Sequence, residues 1–217
     1  IKKKKTTVDG KFSSSNIKLA NYNFQNIKTA MKIADEKLTL TNTSFVFDET
    51  ISGFKIKEDV KSDKFVYDLK KKTGNGNYIL NNLGSDFSIG TITGNLKISA
   101  KNIISGTINS NVLNGNYTIN PSRRTLVVNA RSKGYFTVNY GGKSYTISPD
   151  VDNLVVNFNE KNMLRSGLIN AKMKDLSIPL VHSVNAHVKI HNGNYTISGT
   201  AGINGGGTVS INGTTTS

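Results

Sequence analysis

Ser183-Val184-Asn185-Ala186-His187-Val188-Lys189-Ile190-His191 is the stretch that decides the fold. Its apolar side chains at Val184, Ala186, Val188 and Ile190 alternate with polar ones, and this period of two predicts a β-strand with one dry and one solvated face. The same alternation recurs at five other places: Phe65, Tyr67 and Leu69; Tyr117 and Ile119; Phe136, Val138 and Tyr140; Tyr145 and Ile147; and Leu154, Val156 and Phe158.

Turn signals separate these segments and complete an all-β pattern. They are Gly74-Asn75-Gly76, Asn114-Gly115-Asn116, Tyr140-Gly141-Gly142, Pro149-Asp150 and Asn192-Gly193-Asn194. Residues 27–38 and 161–172 fit a helical spacing as well as an extended one. We therefore expect strands throughout, with at most one or two short helices.

The block Asn-Gly-Asn-Tyr occurs three times, with its tyrosine at Tyr78, Tyr117 and Tyr195. Tyr117 follows Tyr78 by 39 residues, and Tyr195 follows Tyr117 by 78, twice that interval. Val156 stands where the missing copy would fall. A fixed interval of this size is typical of stacked supersecondary units. We predict one elongated β-repeat domain over residues 1–217, with its tyrosines on one inward face and with a longer protein beyond it.

Composition narrows the function classes. The 217 residues are 36% hydrophobic and 19% charged, with 20 glycines and 3 prolines, which suits short strands that bury one face. Cysteine is absent, which excludes disulfides and thiolate metal sites. The sequence contains neither a secretory signal nor an apolar run long enough for a membrane span.

The net charge of +14 attracts polyanions, and lipid headgroups, acidic glycans and nucleic acid are all candidates. The lysines are dispersed, and no nucleic-acid module with interleaved aromatics is present, so we predict no specific nucleic-acid binding. Lysines that keep exposed strand faces soluble and guard sheet edges explain the charge equally well.

Catalytic and metal sites are not predicted, because nucleophile-elbow, Walker and zinc-protease motifs are all missing. Asp150 and Asp152 can face the same way as an acid–base pair, but beside Pro149 they are more typical of a turn. His187 and His191 share a predicted strand face roughly 13 Å apart, too far to hold one ion. The glycine-rich residues 202–207 predict a bulged turn between strands. We expect a protein that is not an enzyme and has no cofactor.

Three stretches carry a family resemblance: Lys37-Leu38-Thr39-Leu40-Thr41-Asn42-Thr43-Ser44-Phe45, Ile104-Ser105-Gly106-Thr107-Ile108-Asn109, and Asn192-Gly193-Asn194-Tyr195-Thr196-Ile197-Ser198-Gly199-Thr200. Their cadence resembles the TamB (translocation and assembly module) and AsmA-like proteins of two-membrane bacteria. The resemblance implies a β-taco or solenoid-like groove with an apolar interior, located in the periplasm and anchored to the inner membrane by a segment outside this chain. It also implies conduction of phospholipid between the inner and outer membranes, and an Omp85-type barrel partner for outer-membrane protein assembly.

The family has no catalytic residues, and its functional positions are the inward apolar ones that contact phospholipid acyl chains. In this sequence they match Tyr117, Ile119, Leu126, Val128, Phe136, Val138, Tyr140, Tyr145, Ile147, Leu154, Val156, Phe158, Val184, Ala186, Val188, Ile190, Tyr195 and Ile197. Strand alternation is the same in an open trough and in a filled solenoid. A closed structural β-solenoid, such as an adhesin or autotransporter passenger domain, therefore stays open as the alternative.

Overall fold

The computed structural model describes residues 7–19, 22–51, 54–157, 164–178 and 180–215, and every regular element in these ranges is a β-strand. The all-β prediction is confirmed. Neither segment with an ambiguous period is helical where it is described: residues 27–34, 37–38 and 164–172 lie within strands, and Asp35 and Glu36 form the turn between the first two of these stretches. The chain divides into two compact units, one comprising Ile1–Asp86 with Gly90–Thr107 and the other Phe87–Ile89 with Ile108–Ser217.

The first unit is a sheet of long antiparallel strands that neighbour one another in chain order, except that β7 follows β5 directly. Its strands are β1 (Val8–Leu19), β2 (Tyr22–Ala34), β3 (Lys37–Ile51), β4 (Phe54–Asp68), β5 (Thr73–Asn82) and β7 (Ile92–Ile98). The next strand, β8 (Ile104–Asn109), crosses the division between the units. Because hairpins join most of these strands, each strand contacts mainly the strands that precede and follow it in the sequence.

The second unit is also antiparallel, with the order β9, β10, β12, β13, β14, β15, β16. Its strands are β6 (Phe87–Ser88), β9 (Leu113–Asn120), β10 (Thr125–Ser132), β11 (Phe136–Tyr140), β12 (Lys143–Asn157), β13 (Leu164–Ile178), β14 (Val181–His191), β15 (Asn194–Ile203) and β16 (Thr208–Thr215). The short β11 pairs with the start of β12 on one side and with β6 on the other.

Two-residue turns with both φ angles positive join several strands. Asn192 and Gly193 have φ of 50° and 82°, and Gly141 and Gly142 have 58° and 73°, the signature of a type I′ hairpin. These two predicted turns are confirmed. The glycine-rich residues 204–207 connect β15 to β16, as the sequence predicted.

Three other turn predictions are wrong, because Gly74-Asn75-Gly76, Asn114-Gly115-Asn116 and Pro149-Asp150 all lie inside strands. Gly115 pairs with Ala130, and a Cβ placed on it would lie 2.4 Å from the Asn129 carbonyl oxygen. A close approach of neighbouring strands therefore requires this glycine, rather than a turn. Pro149 falls between the part of β12 that pairs with β11 and the part that pairs with β10.

Asparagines with positive φ interrupt the alternation of three strands. Asn26, Asn42 and Asn153 have φ of 54°, 51° and 46°, and each lies where the pairing shifts. In β12, Val151 and Leu154 are three residues apart, yet they pair with Ala130 and Val128, which are only two apart. The bulge at Asn153 therefore returns the apolar side chains to one face after a slip in the sequence pattern.

Candidate functional site

The predicted lining residues of β9, β10 and β12 form two rows across the second unit. Tyr117 pairs with Val128, which pairs with Leu154, and the neighbouring row contains Ile119, Leu126 and Val156. Directly paired residues point to the same face of a sheet. Six predicted residues from three strands therefore share one surface.

The same surface continues over β13, β14 and β15. Val188 of β14 pairs with Ile169 on one side and Ile197 on the other, and Ile190 pairs with Gly167 and Tyr195. Val184 and Ala186 lie on the same side of β14 and pair with Met173 and Ala171 of β13. We call these residues of β9 to β15, together with Val209 and Ile211 of β16, the apolar face of the second unit.

The short strand β11 extends this face. Phe136 pairs with Ile147 and Val138 with Tyr145, while Tyr140 pairs with Lys143 at the end of the hairpin. Ile147 in turn pairs with Met173. Of the predicted residues, Phe158 lies outside the described residues.

Burial varies strongly over the apolar face. Ile190 is 3% exposed and Val138 is 8% exposed, whereas Tyr140 is 54% and Val209 is 53% exposed. Among the described strands, each pair with more than marginal contact is a pair of sheet neighbours. Each unit is thus built as one layer of strands, and most apolar side chains are only half-buried.

Tyr117, Val156 and Tyr195 all belong to the apolar face, but the copies of the repeated block differ in structure. Gly115 of the second copy is inside β9, whereas Gly193 of the identical third copy forms a hairpin turn. Tyr78 belongs to the first unit, where its hydroxyl donates a 2.6 Å hydrogen bond to the Thr107 carbonyl oxygen. The same sequence therefore lies within a strand in one copy and begins with a hairpin turn in the other.

The opposite face of the second unit is polar and contains a concavity of about 390 Å³ that sequence reasoning did not find. His187 lies in its wall, with Nδ1 at 2.5 Å from Asn170 Oδ1. Other residues lining it include Ser148, Asp150, Lys172, Asn185, Ser198 and Thr200. His187 and His191 are both exposed, and the described residues hold no cluster of three groups able to bind a metal ion. The side chains here are those of a solvated strand face.

Asp150 and Asp152 have separate structural partners. Asp150 accepts a 2.8 Å hydrogen bond from the Ser132 amide, and Asp152 accepts one from the Arg131 guanidinium. The hydrogen bond to Asp152 raises the pKa of Arg131. Both carboxylates are therefore hydrogen-bonded to β10 next to the Asn153 bulge, and they help to hold β10 and β12 together there.

The positive charge is spread over solvated positions. Every described lysine except Lys57 is exposed. Described ion pairs join Lys57 to Asp48 at 2.7 Å and Lys61 to Asp59 at 2.8 Å. Lys57 lowers the pKa of Asp48 through their hydrogen bond. The field is therefore diffuse, without a concentrated basic patch on these strands.

Glu58 of β4 is a half-buried acid that pairs with Phe47 of β3 and with Asn82 of β5. Burial raises the pKa of Glu58 above its ordinary 4.5, and a hydrogen bond of 2.5 Å from the Ser85 hydroxyl opposes this shift. A raised pKa in the folded state means that ionisation of Glu58 destabilises the first unit.

Glu58→Gln is expected to increase the free energy of unfolding at about pH 7, since the amide carries no charge to desolvate and can still accept the Ser85 hydrogen bond. The gain should vanish at about pH 3, below the unfolded pKa, where glutamate is protonated in both states. Urea unfolding at both pH values measures this difference. An equal effect at the two pH values would rule out ionisation as its cause.

Comparisons with protein-family models, curated proteins and solved structures found no match to this chain. The resemblance to TamB and AsmA-like proteins therefore stays a prediction. None of the described residues forms a helix of the length and hydropathy needed to span a membrane.

Proposed function

We propose that the apolar face of the second unit binds phospholipid acyl chains, and that the protein conducts phospholipid between the inner and outer membranes from a periplasmic location. One observation carries this proposal: the apolar side chains of successive strands, from β9 to β16, lie on one side of a single layer and are mostly half-exposed. If such a layer folds partly over its own apolar side, it forms the β-taco that the family resemblance implies.

The dimensions of the face suit an acyl chain. The seven neighbouring strands from β9 to β16, at roughly 4.8 Å spacing, span about 29 Å. One leaflet of a bilayer has a hydrocarbon thickness of about 15 Å, half of the 30 Å core. An acyl chain can therefore lie entirely across the paired strands.

The energetics also favour an apolar ligand. Each methylene group of a ligand that is buried away from water contributes about 0.8 kcal/mol to binding. The half-exposed valines and isoleucines provide an apolar surface against which such groups can be buried. Branched aliphatic side chains offer contact without directional hydrogen bonds, so the surface accommodates chains of different length. The net charge of +14 adds a general attraction for anionic headgroups.

Val188→Asp tests this proposal directly. Val188 lies between Ile169 and Ile197 on the apolar face, so a carboxylate there should weaken binding of a fluorescent acyl-labelled phosphatidylglycerol at least tenfold, a change of about 1.4 kcal/mol. Asn185→Asp is the matched control, because it adds the same charge on the polar face of the same strand and should bind like the unmodified chain.

Native mass spectrometry of the unmodified chain should find phospholipid bound to it. The proposal fails if no lipid co-purifies and if charged replacements at both Val188 and Val156 leave phosphatidylglycerol binding unchanged while circular dichroism shows an intact sheet. Failure of the control Asn185→Asp to bind would instead show that charge alone governs the interaction.

The deep burial of Ile190 and Val138 favours one other function, a closed structural β-solenoid of the adhesin or autotransporter type. In a closed core, Val188→Asp buries an unpaired charge and should unfold the second unit. In an open groove the carboxylate keeps access to water, and the fold persists. Thermal unfolding of this variant therefore separates the two functions.

A further inference from the structure

Asparagine is followed by glycine at five places in the sequence, and the structure gives these pairs different backbone settings. They are Asn75-Gly76, Asn114-Gly115, Asn192-Gly193, Asn204-Gly205 and Asn212-Gly213. Asparagine is a chemically labile residue. It reacts most readily before glycine, which has no side chain to hinder attack by its own amide nitrogen on the asparagine Cγ. The attack requires an amide that no acceptor holds and a peptide group that can rotate, so the backbone setting decides which pair reacts.

Three of the pairs lie within strands. Asn75-Gly76 of β5 pairs with β4 on one side and with β7 on the other. Asn114-Gly115 of β9 pairs with β10, and Asn212-Gly213 of β16 pairs with β15. The backbone hydrogen bonds of a ladder hold the peptide groups in the extended conformation, so ring closure there requires local unfolding. We expect these three asparagines to be protected.

The pair Asn192-Gly193 forms a hairpin turn, but the amide of its glycine is held. Gly193 is buried, and its amide donates a 3.2 Å hydrogen bond to the Arg165 carbonyl oxygen. This nitrogen can attack Asn192 only after that hydrogen bond breaks. The second turn pair is therefore the one whose setting remains to be compared.

The pair Asn204-Gly205 has neither form of protection. Both residues are exposed, and they are the central residues of a turn in which the Gly206 amide donates to the Ile203 carbonyl oxygen at 3.1 Å. A turn of this kind does not use the amide of its third residue. In the part of the chain that the structure describes, the Gly205 amide has no hydrogen-bond acceptor. Three consecutive glycines, at 205 to 207, also leave the peptide groups here free to rotate.

We propose that Asn204 is a site of spontaneous deamidation in the folded chain. The Gly205 amide nitrogen gives its proton to solvent and attacks Asn204 Cγ. A C–N bond forms and closes a succinimide ring, while the Cγ–Nδ2 bond breaks and ammonia leaves with a proton from solvent. Water then opens the ring at Cγ to give isoaspartate's isomer, aspartate, when it breaks the bond from Cγ to the Gly205 nitrogen. When water breaks the bond from the main-chain carbonyl carbon to that nitrogen instead, the product is isoaspartate.

The net reaction consumes one water molecule and releases one ammonia molecule, without an oxidant or a reductant. It replaces a neutral amide with a carboxylate. In the isoaspartate product the main chain also runs through Cβ and Cγ, which lengthens it by one atom between Asn204 and Gly205. That segment is spanned by two hydrogen bonds of 3.1 Å, from the Gly206 amide to the Ile203 carbonyl oxygen and from the Ile203 amide to the Gly207 carbonyl oxygen.

Hydrogen exchange measures the consequence for the turn. The Ile203 amide should exchange at least about tenfold faster in the isoaspartate form than in the unmodified chain, because the longer main chain weakens the closing hydrogen bonds. Asn204→Asp is the matched control, since it adds the same charge with a normal main chain and should exchange like the unmodified chain. Equal exchange in the control and the isoaspartate form would attribute the effect to charge and overturn this structural consequence.

Peptide mapping by mass spectrometry, after incubation of the full chain at mildly alkaline pH, tests the site itself. Asn204 should deamidate at least about tenfold faster than Asn192, a barrier difference of about 1.4 kcal/mol, which is the contribution of about one hydrogen bond. In the urea-unfolded chain the five pairs should react at similar rates, because their settings no longer differ. This comparison separates the effect of the fold from that of the sequence.

Equal rates at Asn204 and Asn192 in the folded chain, or reaction at Asn204 only after unfolding, would overturn the proposal. Asn204→Gln is the control for the assay, because a longer side chain closes a larger and less favourable ring. In this variant the isoaspartate detected by enzymatic carboxyl methylation should fall to the level contributed by the other four pairs. The inference does not depend on lipid binding, and none of its readouts contains lipid.

Discussion

Gly94→Ala is expected to lower the free energy of unfolding of the first unit by about 2–4 kcal/mol, in the range of severe overpacking. A Cβ on Gly94 would lie 2.0 Å from the Thr107 carbonyl oxygen and 2.5 Å from the Tyr78 ring. The tyrosine pairs with Gly94, and its hydroxyl reaches across to Thr107. The ring can shift, but the backbone oxygen cannot move without displacing a strand.

Gly10→Ala is the matched control in the same unit. Gly10 lies in β1, and a Cβ placed there would meet nothing within 4 Å. The substitution should therefore be neutral or stabilise by up to about 1 kcal/mol, because alanine restricts the unfolded chain. Urea unfolding of both variants measures the contrast. If the two variants have equal free energies of unfolding, Thr107 and Tyr78 can move away from residue 94 at no cost in stability.

Ile190→Ala is expected to cost about 2–5 kcal/mol in the second unit, the usual range for truncating a buried isoleucine. Ile190 is 3% exposed and contacts Tyr195 across the ladder. It is also one of the residues that the TamB-like resemblance assigned to an acyl-chain groove. A large loss of stability would show that this part of the apolar face is structural core, and would direct ligand binding to the half-exposed residues around it.

Val209→Ala provides the comparison on the same face. Val209 is 53% exposed, so its truncation should change the free energy of unfolding by less than about 0.5 kcal/mol. Thermal and urea unfolding report both variants. Similar losses at Ile190 and Val209 would mean that burial does not differ between the centre and the margin of this face in solution.

The local sequence pattern was sufficient to predict strand β14 and to predict which of its side chains share a face. The alternation from Val184 to Ile190 predicts the strand, and Val181–His191 is extended with those residues on one face. It was insufficient where an asparagine interrupts the period, as at Asn153. There the residues that share a face are three apart in sequence, and only the pairing with Ala130 and Val128 reveals it.

Turn prediction failed for a related reason. Asn114-Gly115-Asn116 and Asn192-Gly193-Asn194 are identical, yet the first lies in β9 and the second spans a hairpin turn. Glycine permits a positive φ and also permits a close strand, and its neighbours in sequence do not select between the two. The Asn129 carbonyl oxygen, close to Gly115, makes that selection.

The amino-acid sequence by itself determined that the chain is built from strands and, within each uninterrupted stretch of alternation, which side chains share a face, because alternation follows from the local geometry of the extended backbone. The tertiary structure alone decided how deeply each apolar residue is buried and which glycines lie in strands. Those properties arise from the strand that lies alongside, whose residues do not belong to the local stretch of sequence in which the pattern is seen.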